Sequence, residues 1–548
     1  MRAYRSVRVA LPFVVLFSAG LVAWRADDDL FELRRNFEIF GAVYEELVVG
    51  YVNDIRPQPF MRAGIDAMLA ELDPYTVYYD EADLVDSEIS QQSSSATVGI
   101  SIGERGGRLT VLEPGAHASA YRQGVRVGDV VVQIDGTDAS VLTVQEAYSL
   151  MGGEPGTTVS LVLERTGEQD TRTFVLPRER FRQRNVSWAG YLGPDTTALI
   201  GYVRLDQFGE RSGREVRRAL RTMSREAGLN GVVLDLRGNP GGIVSEAIDI
   251  VELFVPSGSP VVSIRSRSGE GDESFRTEME PLFPELPVVV LVDAFSASAS
   301  EIVSGALQDL DRAVVMGHTT FGKGLVQQVR RLPHNTAMKI TIAHYVLPSG
   351  RSIHSSELNT ASARVAVPES AAFDTQSGRN VRSGRGVEPD IILDVPFESE
   401  LETALREDGA FFLFADRYAA SACSAGPSCM DNRDAVMAAF RSDLDARGFS
   451  FETEAERRLN AVSHELDTAG WSGPSDAVAS LHANLDAEKR ADFDRHADRL
   501  FTLLQAELRT RLYDEVEQAR QEVARDAWIA EAAGLVRSPG DWRAVLTQ

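Results

Sequence analysis

Between Thr197 and Val346, short apolar runs alternate with helical stretches, and this alternation constrains the fold more than any other feature of the chain. The runs at 198–205, 231–236, 288–292, 313–316 and 340–346 are rich in Val and Ile, and the segments near 213–225, 243–255 and 298–309 repeat apolar residues at helical spacing. Strands separated by helices in this way predict a layered α/β core. Ahead of it, strand-like runs at 98–102, 109–112, 130–134, 159–163 and 173–176, with a helix-like stretch at 143–151, predict a small β-rich module. Residues 31–72 read as helices closed by the turn Asp73-Pro74-Tyr75, and 355–384 as a polar loop insertion. Beyond Glu398 the chain is rich in Ala, Arg, Glu, Asp and Leu, and predicts a helical region to which the sequence assigns no role. The expected domains are therefore 27–92 (helical), 93–180 (β-rich module), 181–396 (α/β core) and 397–548 (helical).

Residues 1–26 carry Arg2, Arg5 and Arg8 ahead of the uncharged stretch Val9 to Trp24, the pattern of a signal peptide or uncleaved membrane anchor. The body of the protein is accordingly expected outside the cytoplasm, in the periplasm or attached to the inner membrane facing it. Cys423 and Cys429 are the only cysteines; in an oxidising compartment they suit a small disulfide loop, and two free thiols remain the other reading. With 56 basic and 81 acidic residues the formal charge is −25, which opposes binding to nucleic acid. Only three of the basic residues are lysines: Lys323, Lys339 and Lys489.

Three segments of the core could carry chemistry. Asp235 to Gly242 (DLRGNPGG) follows a strand and opens a helix; it is either a tight turn or a source of backbone N–H donors for an oxyanion. It resembles the GNSGG loop of chymotrypsin-like proteases, but Pro240 stands where the serine would be. In the second, SASASEI, Ser298 and Glu301 fit a capping box, while a serine at a helix N-terminus is also open to substrate and favoured as a nucleophile by the dipole. The third, Gly317 to Gly324 (GHTTFGKG), nearly matches a phosphate loop but has Gly324 where the metal-binding hydroxyl belongs, and 325–329 reads as a strand. Burial there would lower the pKa of Lys323 toward that of a useful base. The eight histidines make no HxH or HExxH pattern, and spacing gives a serine/histidine pair with His318, His344 or His354 no support.

Taken together, SASASEI, FGKG and Gln327 resemble the carboxy-terminal processing (tail-specific) serine proteases. The likeness extends from Leu72 to about Pro396 and includes LDPYTVYYD, QGVRVGDVVVQIDG, DLRGNPGG, GALQD, LPSGRSIH and GVEPDI. It implies a crotonase-like ββα core with a PDZ module, Ser298 as nucleophile, Lys323 as general base and Gln327 orienting Lys323. The oxyanion hole would be the N–H of Ala299 with that of Gly241 or Gly242, and Asp309 would be a supporting residue. Val98, Gly99 and Ile100 would take the carboxylate of a bound tail, although this loop reads Thr-Val-Gly-Ile where the family usually has Gly-Φ-Gly-Φ. Implied partners are proteins or peptides with free C-termini; no metal or cofactor is required, and membrane attachment and self-association stay open. A silent peptide-binding scaffold of the same fold and, from the third segment, a P-loop NTPase are the alternatives.

Overall fold

The computed structural model describes residues 31–81, 96–115, 118–180, 184–193, 199–269, 271–355, 371–394, 398–470 and 475–547. The expected export segment, 1–26, lies outside them, and among the described residues no helix is long and apolar enough to cross a membrane. The chain divides into two compact units. Among the described residues, the smaller holds 31–79 together with 329–340. Its described part contains a helix over 31–50, a second helix Pro57–Leu69, and the strand Val77–Tyr79 paired antiparallel with residues 337–339.

The larger unit begins with the β-rich module. Strands β1 (Ile100–Arg105), β2 (Arg108–Pro114), β3 (Val130–Ile134), β4 (Thr158–Glu164) and β5 (Arg172–Pro177) form one antiparallel sheet in that order. Short helix α1 (Ser119–Gln123) lies between β2 and β3, and α2 (Val144–Met151) between β3 and β4. Alternation along the strands sends Val111, Val131, Leu161 and Leu176 into a core closed by Ala147 and Met151 of α2. A capping box starts α2, Thr143 and Glu146 each bonding the other's backbone N–H.

Six strands make the central sheet of the α/β core. Its members are β6 (Val186–Tyr191), β7 (Ile200–Leu205), β8 (Gly231–Asp235), β9 (Val288–Val292), β10 (Val314–Gly317) and β12 (Ile391–Ile392). All neighbours run parallel except the edge pair β6 and β7. β11 (Leu325–Leu332) leaves the sheet for a hairpin with Thr336–Val346. Parallel strands need cover on both faces, and the alternation within β8 and β9 shows how each face is met. Val232, Leu234, Val288, Val290 and Val292 face helices α3 (Ser212–Glu226), α4 (Val244–Val251) and α5 (Ala299–Asp309). Val233, Val289 and Leu291 face the other way, onto Ile529, Ala532, Ala533 and Val536.

Those residues belong to the helical region, which serves two cores. Helices α6 (Glu400–Glu407), α7 (Ala410–Ala422), α8 (Arg433–Arg447) and α9 (Ala497–Leu512) bury Leu405, Phe414, Phe440 and Leu504 among themselves. Cys423, at the end of α7, forms a disulfide with Cys429, which settles the open reading of these two residues. Helices α10 (Ala527–Arg537) and α11 (Pro539–Val545) instead cover the second face of the central sheet, and the Trp542 indole N–H donates to the Val288 carbonyl at 2.9 Å. Within the polar insertion, 372–374 and 380–382 pair as a two-stranded sheet, so part of the expected loop is ordered strand.

Because α10 supplies a layer of the α/β core, a charge placed in it is expected to act there. Val536→Asp buries an unpaired carboxylate at a site 2% exposed, and should cost about 3 kcal/mol or more. Urea unfolding of the whole chain checks this; a midpoint within error of wild type would mean that α10 does not support the sheet.

Candidate active site

Three loops meet beyond the carboxyl ends of neighbouring parallel strands, the place where open α/β sheets form their crevices. β8 runs into 236–243, β9 into 293–298 and β10 into 318–324. Two short polar residues, one through its side chain and one through its backbone, knit the first two together. The Asp293 carboxylate accepts from the N–H groups of Gly238 (2.9 Å), Phe295 and Ser296 (both 3.0 Å). Asn239 is fully buried: its Nδ2 donates to the Leu205 carbonyl (2.7 Å), and its backbone carbonyl accepts from Ala297 N–H (3.0 Å) and Ser300 Oγ (2.9 Å).

These bonds separate the three serines by role. Ser296 Oγ donates to the Leu236 carbonyl (2.8 Å) and Ser300 Oγ to that of Asn239, and both residues are 0% exposed. Ser298 is half-buried and thus open to a reactant. Its backbone has φ 54° and ψ −110°, a conformation that costs a non-glycine residue about 1–3 kcal/mol and persists where surrounding bonds enforce it. The helix it starts, α5, is buried along its whole length, so its N-terminal dipole acts in a poorly screened setting. Ala299 is the first residue of that helix.

The loop after β10 is joined to Ser298 by Glu301. One carboxylate oxygen accepts from the N–H of Ser298 and of Lys323, each at 2.8 Å; the other accepts from Gly322 N–H (2.7 Å) and Thr320 Oγ (2.6 Å). The Ser298 and Lys323 backbones therefore lie within two hydrogen-bond lengths of each other. Burial pushes the Glu301 carboxyl up to about 7, against the downward pull of those four bonds. Lys323 itself is half-buried. Its loop is pressed against the segment after the β11 hairpin: a side chain at Gly324 would come within 2.5 Å of the His354 nitrogen, and Gly324 C=O accepts from Tyr345 N–H at 2.9 Å.

The remaining expected residues fall as follows. Gly241 packs on the serine corner, where a Cβ would lie 2.8 Å from Ser298 Cβ, and it has φ 97°. Its N–H donates to Asn239 Oδ1 (2.9 Å), whereas no bond among the described residues engages the N–H of Gly242. Gln327 lies on β11, its Nε2 buried without a hydrogen-bond partner among the described residues. Asp309 is at the opposite end of α5, about 16 Å along the axis from Ser298 by helical rise. There it forms a fully buried ion pair with Arg351 (2.9 Å), remote from the other candidates. Val98 and Ile100 are buried in the β-rich module, with Gly99 between them at φ 68°. Of the histidines, His318 stacks on Trp528 (centroids 6.0 Å apart), and His344 lies 5.7 Å from His354 beside Gly324. Among the described residues, no group of three or more His, Cys, Asp or Glu could hold a metal ion.

Residues 199–361 match peptidase family S41, 110–165 the PDZ domain, and 401–536 the C-terminal helical domain of a probable PDZ-protease. A carboxy-terminal-processing protease of Bartonella bacilliformis is 34% identical over 317 residues, which cover 57% of this chain and 71% of that protein. The chain belongs to the carboxy-terminal processing proteases of family S41. A carboxyl-terminal-processing protease of Synechocystis is 35% identical over 53% of this chain and 67% of its own length. A chloroplastic C-terminal processing peptidase of Tetradesmus obliquus is 31% identical over 63% and 77%. The protein is a serine-type peptidase with a PDZ domain, and the layered α/β core with helical ends is as expected from the sequence.

In this S41 peptidase, Glu301, Asn239, Asp293 and Thr320 were not among the expected site residues. Glu301 was visible only as a helix cap; its bonds to 320–323 join segments that spacing alone does not bring together. Because its folded pKa of about 7 lies above its ordinary 4.5, the folded state holds this proton more tightly than the unfolded chain. Its contribution to stability is full below 4.5, falls as pH rises through that window, and levels off above 7. Wild type should lose roughly 2–3 kcal/mol across it relative to Glu301→Gln, measured as the difference in urea stability between acid and neutral pH. Parallel pH profiles would assign the titration to another group.

Proposed function

We propose that this protein is an extracytoplasmic endopeptidase that cuts other proteins near their C-termini by a Ser298/Lys323 dyad. The observation that carries the reading is the Glu301 carboxylate oxygen shared by the N–H groups of Ser298 and Lys323, which supports a serine and a lysine acting in one site. As neutral amine, Lys323 takes the Ser298 hydroxyl proton while Oγ attacks the scissile carbonyl. The Ala299 N–H, a glycine N–H from 241–242 and the α5 dipole stabilise the resulting oxyanion. The lysine ammonium then protonates the leaving amine, and an acyl-enzyme remains. Lys323 next takes a proton from water, whose oxygen attacks the ester, and returns the proton to Ser298 as the new carboxylic acid leaves. Gln327 orients Lys323 from β11.

The PDZ domain recruits the tail by adding it as a strand beside β1, with its carboxylate at Val98, Gly99 and Ile100. An extracytoplasmic site is supported by the disulfide, which is characteristic of oxidising compartments, and by the arginine-led apolar N-terminal stretch. Against the NTPase alternative, Gly322-Lys323-Gly324 leads into strand β11 and not into a helix whose N-terminus would hold phosphate. Against a silent scaffold, the strained backbone of Ser298 is typical of residues that do chemistry.

Arginine keeps its charge at any pH a protein tolerates, so charge alone would let it replace a lysine whereas proton transfer would not. Lys323→Arg and Lys323→Ala are expected to be equally inactive, and Ser298→Ala to abolish cleavage while losing no more than about 2 kcal/mol of stability. Mass spectrometry of fragments from a denatured substrate protein reads the outcome. Substantial cleavage by Lys323→Arg between neutral and mildly alkaline pH would reassign the base.

A further inference from the structure

On the β1 edge of the PDZ domain, the Tyr148 hydroxyl accepts from Ile102 N–H at 2.8 Å and donates to Ile102 C=O at 3.2 Å. Among the described residues β1 pairs with β2 along one edge only, so these two groups belong to the opposite edge, which no described strand pairs, beside α2, which carries Tyr148. Unpaired strand edges otherwise present such groups to any strand that can add to them. In antiparallel pairing alternate residues exchange both N–H and C=O bonds with the residue opposite, and Ile102 is a residue of that kind.

Which part of a ligand would meet it follows from the recruitment reading proposed above, on which this inference rests. A tail whose carboxylate sits at 98–100 runs antiparallel to β1. Its last residue then stands opposite Ile100, and the residue two before it opposite Ile102. The phenol of Tyr148 occupies the place of that residue's backbone, as one hydroxyl serving both a donor and an acceptor. Nearby, the Thr97 hydroxyl accepts from Gly99 N–H at 2.8 Å, so one amide of the carboxylate loop is also held by the domain's own side chain. Tyr148 is 38% exposed, so its ring has solvent to turn into.

We propose that the Tyr148 hydroxyl is a built-in competitor for the tail-binding edge, closing the Ile102 N–H and C=O in the free enzyme and turning out when a substrate tail pairs there. It sets a threshold: a tail must supply its own backbone pair at the third residue from its end to displace the phenol. A tail with proline at that position lacks the N–H and cannot do so.

The test compares the full-length Ser298→Ala protein, which will not consume the probe, with Ser298→Ala/Tyr148→Phe and Ser298→Ala/Tyr148→Leu. The probe is a fluorescein-labelled decapeptide ending Ala-Val-Val, as free acid and as amide, read by anisotropy. Hydrogen exchange of the Ile102 amide is followed in the free proteins. Without the competing hydroxyl, both Tyr148 variants should bind the free acid about three- to tenfold more tightly. They should also exchange the Ile102 amide faster, with the amidated probe weak throughout. Equal free-acid affinity in all three proteins would overturn the competitor while leaving tail recruitment standing. Weaker binding by Tyr148→Phe would mean that the hydroxyl contacts the tail and does not compete with it. If none of the three proteins distinguishes free acid from amide, recruitment by the carboxylate fails, and the competitor with it.

Discussion

A single buried carboxylate organises the serine corner. Glu301 gathers the N–H of the strained serine, the N–H groups of Gly322 and Lys323, and the Thr320 hydroxyl, which in turn accepts from Val387 N–H at 2.7 Å. No other group could do this as well: an amide would offer a donor where only donors converge, and a shorter acid would not reach across. The desolvation that raises its pKa is tolerated because four bonds satisfy its two oxygens. A half-satisfied carboxylate in the same place would loosen the serine corner and the lysine loop together.

Around that corner, buried ion pairs hold the framework in place. Asp235 is fully buried and accepts from Arg237 and from the Tyr202 hydroxyl at 2.8 Å, while Arg237 reaches Asp526 at 2.9 Å and lies over the Trp528 ring. The conspicuous DLR of the turn is thus a clamp between the central sheet and the segment leading into α10. Asp309 and Arg351 form a second clamp at the other end of α5, closed further by Gln308 Oε1 at 2.7 Å from Arg351. Removing one partner of such a pair leaves a buried charge and typically costs about 3–5 kcal/mol. In both motifs the charged side chains bond to neighbouring elements of the framework.

Much of this was legible from residue order. Val288 to Val292 could be read as a strand because nothing in it favours a turn or a helix, and Ser298 could be singled out because it sits at a strand-to-helix junction. What periodicity cannot convey is which face of a strand is covered by what. The region beyond Glu398 looked uniformly helical, yet Leu504 packs among helices and Val536 on the central sheet, a difference fixed by tertiary partners far away in the chain. Glu301 and Asn239 were hidden for the same reason: a cap and a turn residue look alike whether their spare bonds go to water or to another loop.

The cover of the central sheet by α10 and α11 bears on when the enzyme comes into being. Strands β6 to β10 leave the ribosome before the helices that shield their second face, so during synthesis the apolar side of this sheet is without that cover. The serine corner is built at the carboxyl ends of that sheet's strands, so it stands on a layer whose second face is covered by the last part of the chain. Chain order thus places the last helices of the sequence among the parts on which the packing of this sheet waits.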